Sequence, residues 1–288
     1  MATTTTTSPP DAAATPPSPR RVPSGSVWGA VLASEATKLR TVRSTVWTLF
    51  ATFVVTIGIG SLIALARVSR WDNLSLHEKL TFDPTNFSLR GVFLAQLAIG
   101  VLGVLLISSE YSSGMIRTTF AAVPQRRVVL YSKAIVFAVV AYVTTAIACL
   151  AAFLIGQAIF AGTLLPTGAH LGVSLSSPGA LRSVLLAAFY LTVVGLIGLS
   201  LGALLRRTAG AIATLFGIVF VLPILTSALP SPWDTDVGKY LPSGAGVATF
   251  TVKHTSDLLH PGAGLAVLVA YAILALWLAG FALTRRDT

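Results

Sequence analysis

The sequence is short of charge and of cysteine. Charged residues are 10% of the 288, against about 25% in an ordinary soluble domain. So few cannot cover a water-facing surface, and a soluble enzyme is excluded on that ground. The single cysteine, Cys149, excludes a disulfide scaffold, and it falls in apolar surroundings where a thiol is inert. There is no G-x-x-x-x-G-K-S/T phosphate loop, so ATP is not bound that way. The serine-hydrolase elbow G-x-S-x-G, the zinc motif H-E-x-x-H and C-x-x-C are missing too. No catalytic residue, cofactor site or metal site is expected.

What is present is apolar and continuous. Residues of the AVILMFWYC set make up 54% of the chain, which excludes disorder throughout, and mean hydropathy is +0.81. Charge-free runs cover Trp47–Ala66, Gly91–Ser108, Ala134–Gly162, Val184–Leu205, Thr208–Leu229 and Gly262–Thr284. Roughly 20 helical residues cross a hydrocarbon core of about 30 Å, and five runs fit one crossing. The third, at 29 residues, is long enough to tilt or to break near Gly156-Gln157. A soluble bundle would need a polar stripe on each helix, which these lack. A membrane barrel would alternate in ten-residue segments, which these do not. The fold expected is an all-α membrane protein with six transmembrane helices.

Inside those runs there is no Asp, Glu, Lys, Arg or His. Ion-coupled carriers need such groups in the membrane and voltage sensors need arginine, so both are disfavoured. Gly198 and Gly202 form a G-x-x-x-G pair suited to close helix contact. Pro223 is expected to kink span five.

An even number of spans puts both termini on one side. Counting Lys and Arg, 13 fall on the terminal side and 7 on the other. The positive-inside rule therefore places both termini in the cytoplasm of a cell membrane. The formal charge of +10 reads as topology and anionic-lipid contact, not nucleic-acid binding. The first external loop runs against the rule with Arg67, Arg70, Lys79 and Arg90.

Residues 1–25 are almost all Ala, Thr, Ser and Pro and read as a disordered tail, ahead of a membrane domain over 26–288. Arg20-Arg21 is not a twin-arginine signal, because the apolar run after it is too short. Ser26–Thr45 reads as a helix along the inner membrane surface. Ser26 caps it, and Trp28, Val31, Leu32, Leu39 and Val42 share one side. Lys38, Arg40 and Arg43 are placed to meet lipid phosphates. Glu35 projects onto the apolar side, and either pairs with Lys38 at i+3 or docks on a basic group of a partner.

Between spans two and three lies EYSSGMIRTTFAAVPQRRVVLYSK. Pro124 keeps Val123 out of the helical region, so a helix starting near Ser112 ends there. Met115, Thr119 and Val123 recur on one stripe, with Ile116 and Phe120 beside it. From the residues alone two readings stand: a surface helix dipping into lipid, or a knob inserting into a groove on a partner. The external segment Pro230–Pro261 reads as partial helices folded back to the membrane, with Trp233 and Tyr240 at the interface. Its Asp234, Asp236, His254, Asp257 and His260 lack ligand spacing and read as solvated loop polarity.

Three stretches, in order, carry a family resemblance: SEATKLRTVRSTVWTL before span one, EYSSGMIRTTFAAVPQRRVVLYSKAIV between spans two and three, and KYLPSGAG in the last external loop. Over residues 26–288 the chain resembles the membrane subunit of type-2 ABC transporters, a class of bacterial exporter permeases. The resemblance implies that a separate cytoplasmic subunit binds and hydrolyses ATP, and it favours the knob reading. Ser112–Val123 becomes a coupling helix, with Met115, Ile116 and Phe120 as apolar anchors. Glu110, Arg117 and Arg126 would fix its orientation, with Gly114 and Val123 also in the contact. It further implies a second permease copy or a homologous partner, and substrate contacts from spans one, two and five. The other reading is a membrane anchor or regulator that transports nothing.

The topology is open to cysteine labelling. An impermeant reagent should reach Ser243→Cys from outside and Ser112→Cys only after permeabilisation; the reverse pattern rejects the assignment.

Overall fold

A computed structural model describes residues 24–253 and 258–285, with side chains from Trp28 onward except that of Arg40. Residues 1–23, His254, Asp257, Arg286 and the side chain of Arg40 therefore fall outside what is described, while Ser26 lies inside the first helix, which already runs at Ser24, and does not cap it. The described chain is helical, with one isolated bridge between Leu164 and His170 outside the helices.

The first helix, α1 (Ser24–Thr41), leads through Val42 into α2 (Arg43–Val68). Sequence spacing suggests one helix to Thr45, but Val42 is extended (φ −76°, ψ 108°) and turns the chain between α1 and α2. Two short helices follow, α3 (Leu76–Thr81) and α4 (Pro84–Ser88). Ser75 and Glu78 form a capping box on α3, and Asp83 caps α4. Then come α5 (Val92–Ser112), α6 (Met115–Ala122), α7 (Arg126–Phe160), α8 (Ala180–Leu205) and α9 (Thr208–Phe216). A π-helical segment, Gly217–Val221, joins α9 to α10 (Leu222–Ser227). The chain ends with α11 (Trp233–Gly238), α12 (Pro242–Phe250) and α13 (Pro261–Arg285).

Six of these are long and apolar enough to cross a membrane: α2, α5, α7, α8, the α9–α10 unit and α13. The apolar runs locate them, yet the helices outrun the runs. The third starts at Arg126, eight residues before Ala134, and continues through Gly156-Gln157 without a break. Gln157 instead anchors loops: its Nε2 donates to Ser88 Oγ (3.0 Å) and its Oε1 accepts from the Val173 amide (2.8 Å). Pro223 does perturb span five, where the wide turn before it accommodates its ring and missing amide hydrogen.

The spans are not equivalent. Along an 18-residue apolar stretch of each, 72% of α8 and 56% of α5 is buried, against 22% of α2 and 17% of both the α9–α10 unit and α13. The core is thus the α5–α8 pair, with α7 laid against α8. Small residues bring their backbones together, since apolar burial offers little drive for helix contact in lipid. A Cβ on Gly103 would run into the Gly195 carbonyl, one on Gly198 into the Gly100 carbonyl, and one on Gly202 into the Val104 carbonyl. The G-x-x-x-G pair therefore marks a real close approach. At the end away from the termini, α12 buries Ala245, Ala248 and Phe250 against the bundle, while Trp233 and Tyr240 stay exposed. The Asp83 carboxylate that caps α4 also accepts from the amides of Val252 (3.3 Å) and Lys253 (3.4 Å), tying the segment between α2 and α5 to the one between α12 and α13.

Gly103→Val should force α5 from α8 and cost about 1–3 kcal/mol or more. Gly58→Val, where a Cβ meets nothing within 4 Å, should cost far less. Thermal unfolding of the two variants in detergent checks this; equal losses would contradict the close packing.

Candidate functional site: a buried ion quartet beside a short surface helix

At the end that carries both termini, four charged side chains from three helices meet. Glu35 and Lys38 come from α1, Glu110 from the last turns of α5, and Lys133 from the first turns of α7. Lys133 Nζ lies 2.5 Å from Glu35 Oε2 and 2.8 Å from Glu110 Oε1. Lys38 Nζ lies 2.9 Å from Glu35 Oε1 and 3.3 Å from Glu110 Oε1. The signs alternate around the ring and sum to zero. Lys133 is 1% exposed, Glu35 2% and Glu110 7%; Lys38 is the one member that reaches water.

The local sequence explains why these residues converge. On α1 the buried positions are Val31, Glu35 and Leu39, one stripe at i, i+4, i+8. That stripe lies against the start of α7. Glu35 is carried inward with its apolar neighbours and must find a cation there. Of the two readings of Glu35, the pairing with Lys38 holds, and Lys133 is the second partner. Trp28 and Val42 are 37% and 46% exposed, because the bundle meets the stripe centred on Glu35 rather than one side through Trp28 and Val42. Burial opposes the charged form of Lys38, but the Glu35 and Glu110 carboxylates more than offset it, and its pKa is raised. Arg43 is exposed at the head of α2.

Between Glu110 and Lys133 the chain makes α6. The sequence suggested a helix from Ser112 to Val123; instead α5 runs on through Ser112, and Gly114 turns the chain in the left-handed region (φ 74°). A residue with a Cβ would be strained there. At the other end Val123 is extended (φ −130°, ψ 93°), as Pro124 requires. Ile116 points into the bundle at 5% exposure, while Met115 is 50% exposed. Arg117, Thr118, Ala121 and Ala122 are exposed as well. Phe120 is half-buried under the Arg126 guanidinium, 5.4 Å from the ring centre. Arg126 also donates through Nη1 to the Leu283 carbonyl of α13 (3.2 Å).

Each expected contact residue can now be placed. Met115 and Arg117 present themselves outward, with Gly114 at the exposed turn and Val123 half-buried. Ile116 and Phe120 hold α6 to the bundle, Arg126 braces Phe120, and Glu110 is consumed by the two lysines. Lys133, the last residue of the segment between spans two and three, is the buried centre of the site. A signal for it existed: a lone carboxylate on an apolar stripe demands a partner, and Lys133 abuts the third apolar run. Between α6 and α1 a groove of about 400 Å³ is lined by Ala30, Val31, Ser34, Met115, Thr118 and Val123, among others.

A family model described as "ABC-2 family transporter protein" matches residues 31–199. The chain belongs to this family. The matched segment opens on the buried face of α1, and all four members of the quartet lie within it. No curated protein matches the chain. As an ABC-2 family protein it is a multi-pass membrane component of an ABC transporter, and the family implies association with an ABC ATPase subunit.

Removing one partner of a buried ion pair costs about 3–5 kcal/mol. Lys133→Met should therefore destabilise the ABC-2 protein by about that amount. Adding Glu110→Gln should recover part of the loss, since Glu35 and Lys38 then remain as a neutral pair. Strictly additive losses in detergent unfolding would contradict a coupled quartet.

Proposed function

We propose that the chain is the permease of an exporter driven by ATP hydrolysed on a separate cytoplasmic subunit, with α6 as its coupling helix. Both termini, α1 and α6 then face the cytoplasm. The observation that carries the reading is α6 itself: a short helix set between two spans, outward with Met115 and Arg117, beside a groove against α1. The ATPase subunit seats on Met115, Arg117 and Thr118 and on the α1 wall of the groove, where Ser34 and Lys38 give a polar edge.

In this reading the quartet is the transmission. Motion of the ATPase subunit displaces α6, which is joined to α5 through the turn at Gly114 and to α7 through the segment Val123–Gln125. Glu110 and Lys133 sit at those junctions, so the displacement reaches α1 through Glu35 and Lys38, and from α1 the head of span one. Rocking of the spans against a second permease then alternates access to the two sides, the state favoured depending on nucleotide. The charge-free spans agree with energy supplied from outside the membrane domain.

Purification from native membranes should bring down an ABC ATPase with the wild-type chain. Met115→Asp should reduce that recovery at least tenfold while membrane insertion and thermal unfolding stay as in wild type. Phe120→Asp should lower stability too, because Phe120 packs on the bundle. Undiminished ATPase recovery with Met115→Asp would overturn the assignment of α6.

A further inference from the structure

At the end away from the termini, a cavity of about 360 Å³ lies between the start of α5, the second half of the α9–α10 unit and the α11–α12 segment. That size falls within the range of small-ligand sites, about 300–1,000 Å³. Its wall includes Val219 and Phe220 of the π-helical segment and Pro223 just after it, an irregularity of the kind that often accompanies a functional site. We propose that the cavity binds a lipophilic organic cation: an apolar, ring-sized body carrying one protonated amine, with the amine at Asp234. The proposal rests on the permease reading and names the class of molecule that the permease carries.

Charge selects the cation. Asp234 is in the lining, and no Lys, Arg or His is. Lys239, which follows α11, is held by Asp236 at 2.6 Å. Arg90 stands 6.0 Å from the Phe93 ring, but it packs on Phe87 (5.0 Å), donates to Asn86 and stays out of the lining. Asp234 Oδ1 is closed off and meets no hydrogen-bond donor. A ligand does not reach that oxygen; a cation against the rest of the carboxylate offsets its charge through space, and apolar surroundings screen the attraction weakly. An anion would be repelled, and a neutral body would leave the charge uncompensated.

The other polar groups suit the same ligand. The hydroxyls of Thr226 and Ser227 donate to the carbonyls of Pro223 (2.9 Å) and Ile224 (2.8 Å), so their oxygens remain as acceptors for N–H donors. Gln96, 1% exposed, accepts from the Tyr190 hydroxyl through Oε1, and its amide nitrogen has no partner among the described residues. An ether or hydroxyl oxygen on the ligand would accept from it. Phe93 and Phe220 add rings to the wall, which suit an aromatic body and attract a cation.

The chain alone, in lipid nanodiscs at neutral pH, should bind radiolabelled propranolol, a naphthyl ether with one protonated amine, saturably above empty discs. Unlabelled propranolol should compete. Propranolol glycol and naphthoxyacetate keep the naphthyl ether but carry a hydroxyl or a carboxylate in place of the amine, and should not. Asp234→Asn keeps the shape of the wall and removes its charge, and should weaken binding at least tenfold. Asp72 is an exposed carboxylate at the same end and outside the lining, and Asp72→Asn should bind as wild type does. Thermal unfolding shows whether each variant is folded, and the three probes decide the matter on the wild-type chain even if neither is. Uptake no greater than in empty discs, equal competition by the neutral or anionic probe, full binding by folded Asp234→Asn, or equal loss in both folded variants would overturn the proposal. No ATPase is present in the assay, so its failure leaves the α6 assignment standing, and failure of the α6 test would leave the binding result standing.

Discussion

The structure depends on one constraint: Glu35 and Lys133 are both taken out of water, and neither is tolerable there alone. An isolated charge in an apolar surrounding costs far more than a helix contact returns. The four-membered alternation of Glu35, Lys133, Glu110 and Lys38 satisfies that demand. Such a cluster adds little net stability over a well-packed apolar substitute, but it is exacting about position, because removing any one charge strands its neighbours. It therefore specifies how α1 sits on α5 and α7 more sharply than aliphatic packing could.

The rest of the bundle complements this. Between α5 and α8 the backbones touch through Gly103, Gly198 and their facing carbonyls, which makes a stiff central pair. Around it, α2, the α9–α10 unit and α13 keep most of their surface free for lipid or a second permease. One of these outer spans carries a wide π-helical turn just before Pro223. A close-packed centre and a charge-clamped end thus stand beside outer spans that expose most of their surface.

Much of this was legible in the sequence, for a physical reason. Lipid requires about 20 apolar residues per crossing, so the number and place of the spans could be read off the charge-free runs. Their ends could not. The helix carrying Lys133 begins at Arg126, since its charged first turns are satisfied by the quartet, by Phe120 and by the α13 carbonyl end. Lys133 looked like any membrane-flanking lysine until the fold brought Glu35 to it. On α6 two apolar stripes competed, Met115–Thr119–Val123 and Ile116–Phe120. Which one faced the bundle depended on the turn at Gly114 and the extended Val123, whose combined direction no periodicity encodes. Ile116 went in and Met115 stayed out, so the contact surface is narrower than the pattern suggested.

If the quartet transmits motion, α1 and the α6–α7 junction must travel as one body. Spin labels at the exposed positions Ala33 and Gln125 report that distance directly by pulsed dipolar spectroscopy of the complex with its ATPase, with and without trapped nucleotide. The account predicts the same narrow distance distribution in both states. A nucleotide-dependent shift or broadening between these two sites would show that the clamp opens, and would contradict it.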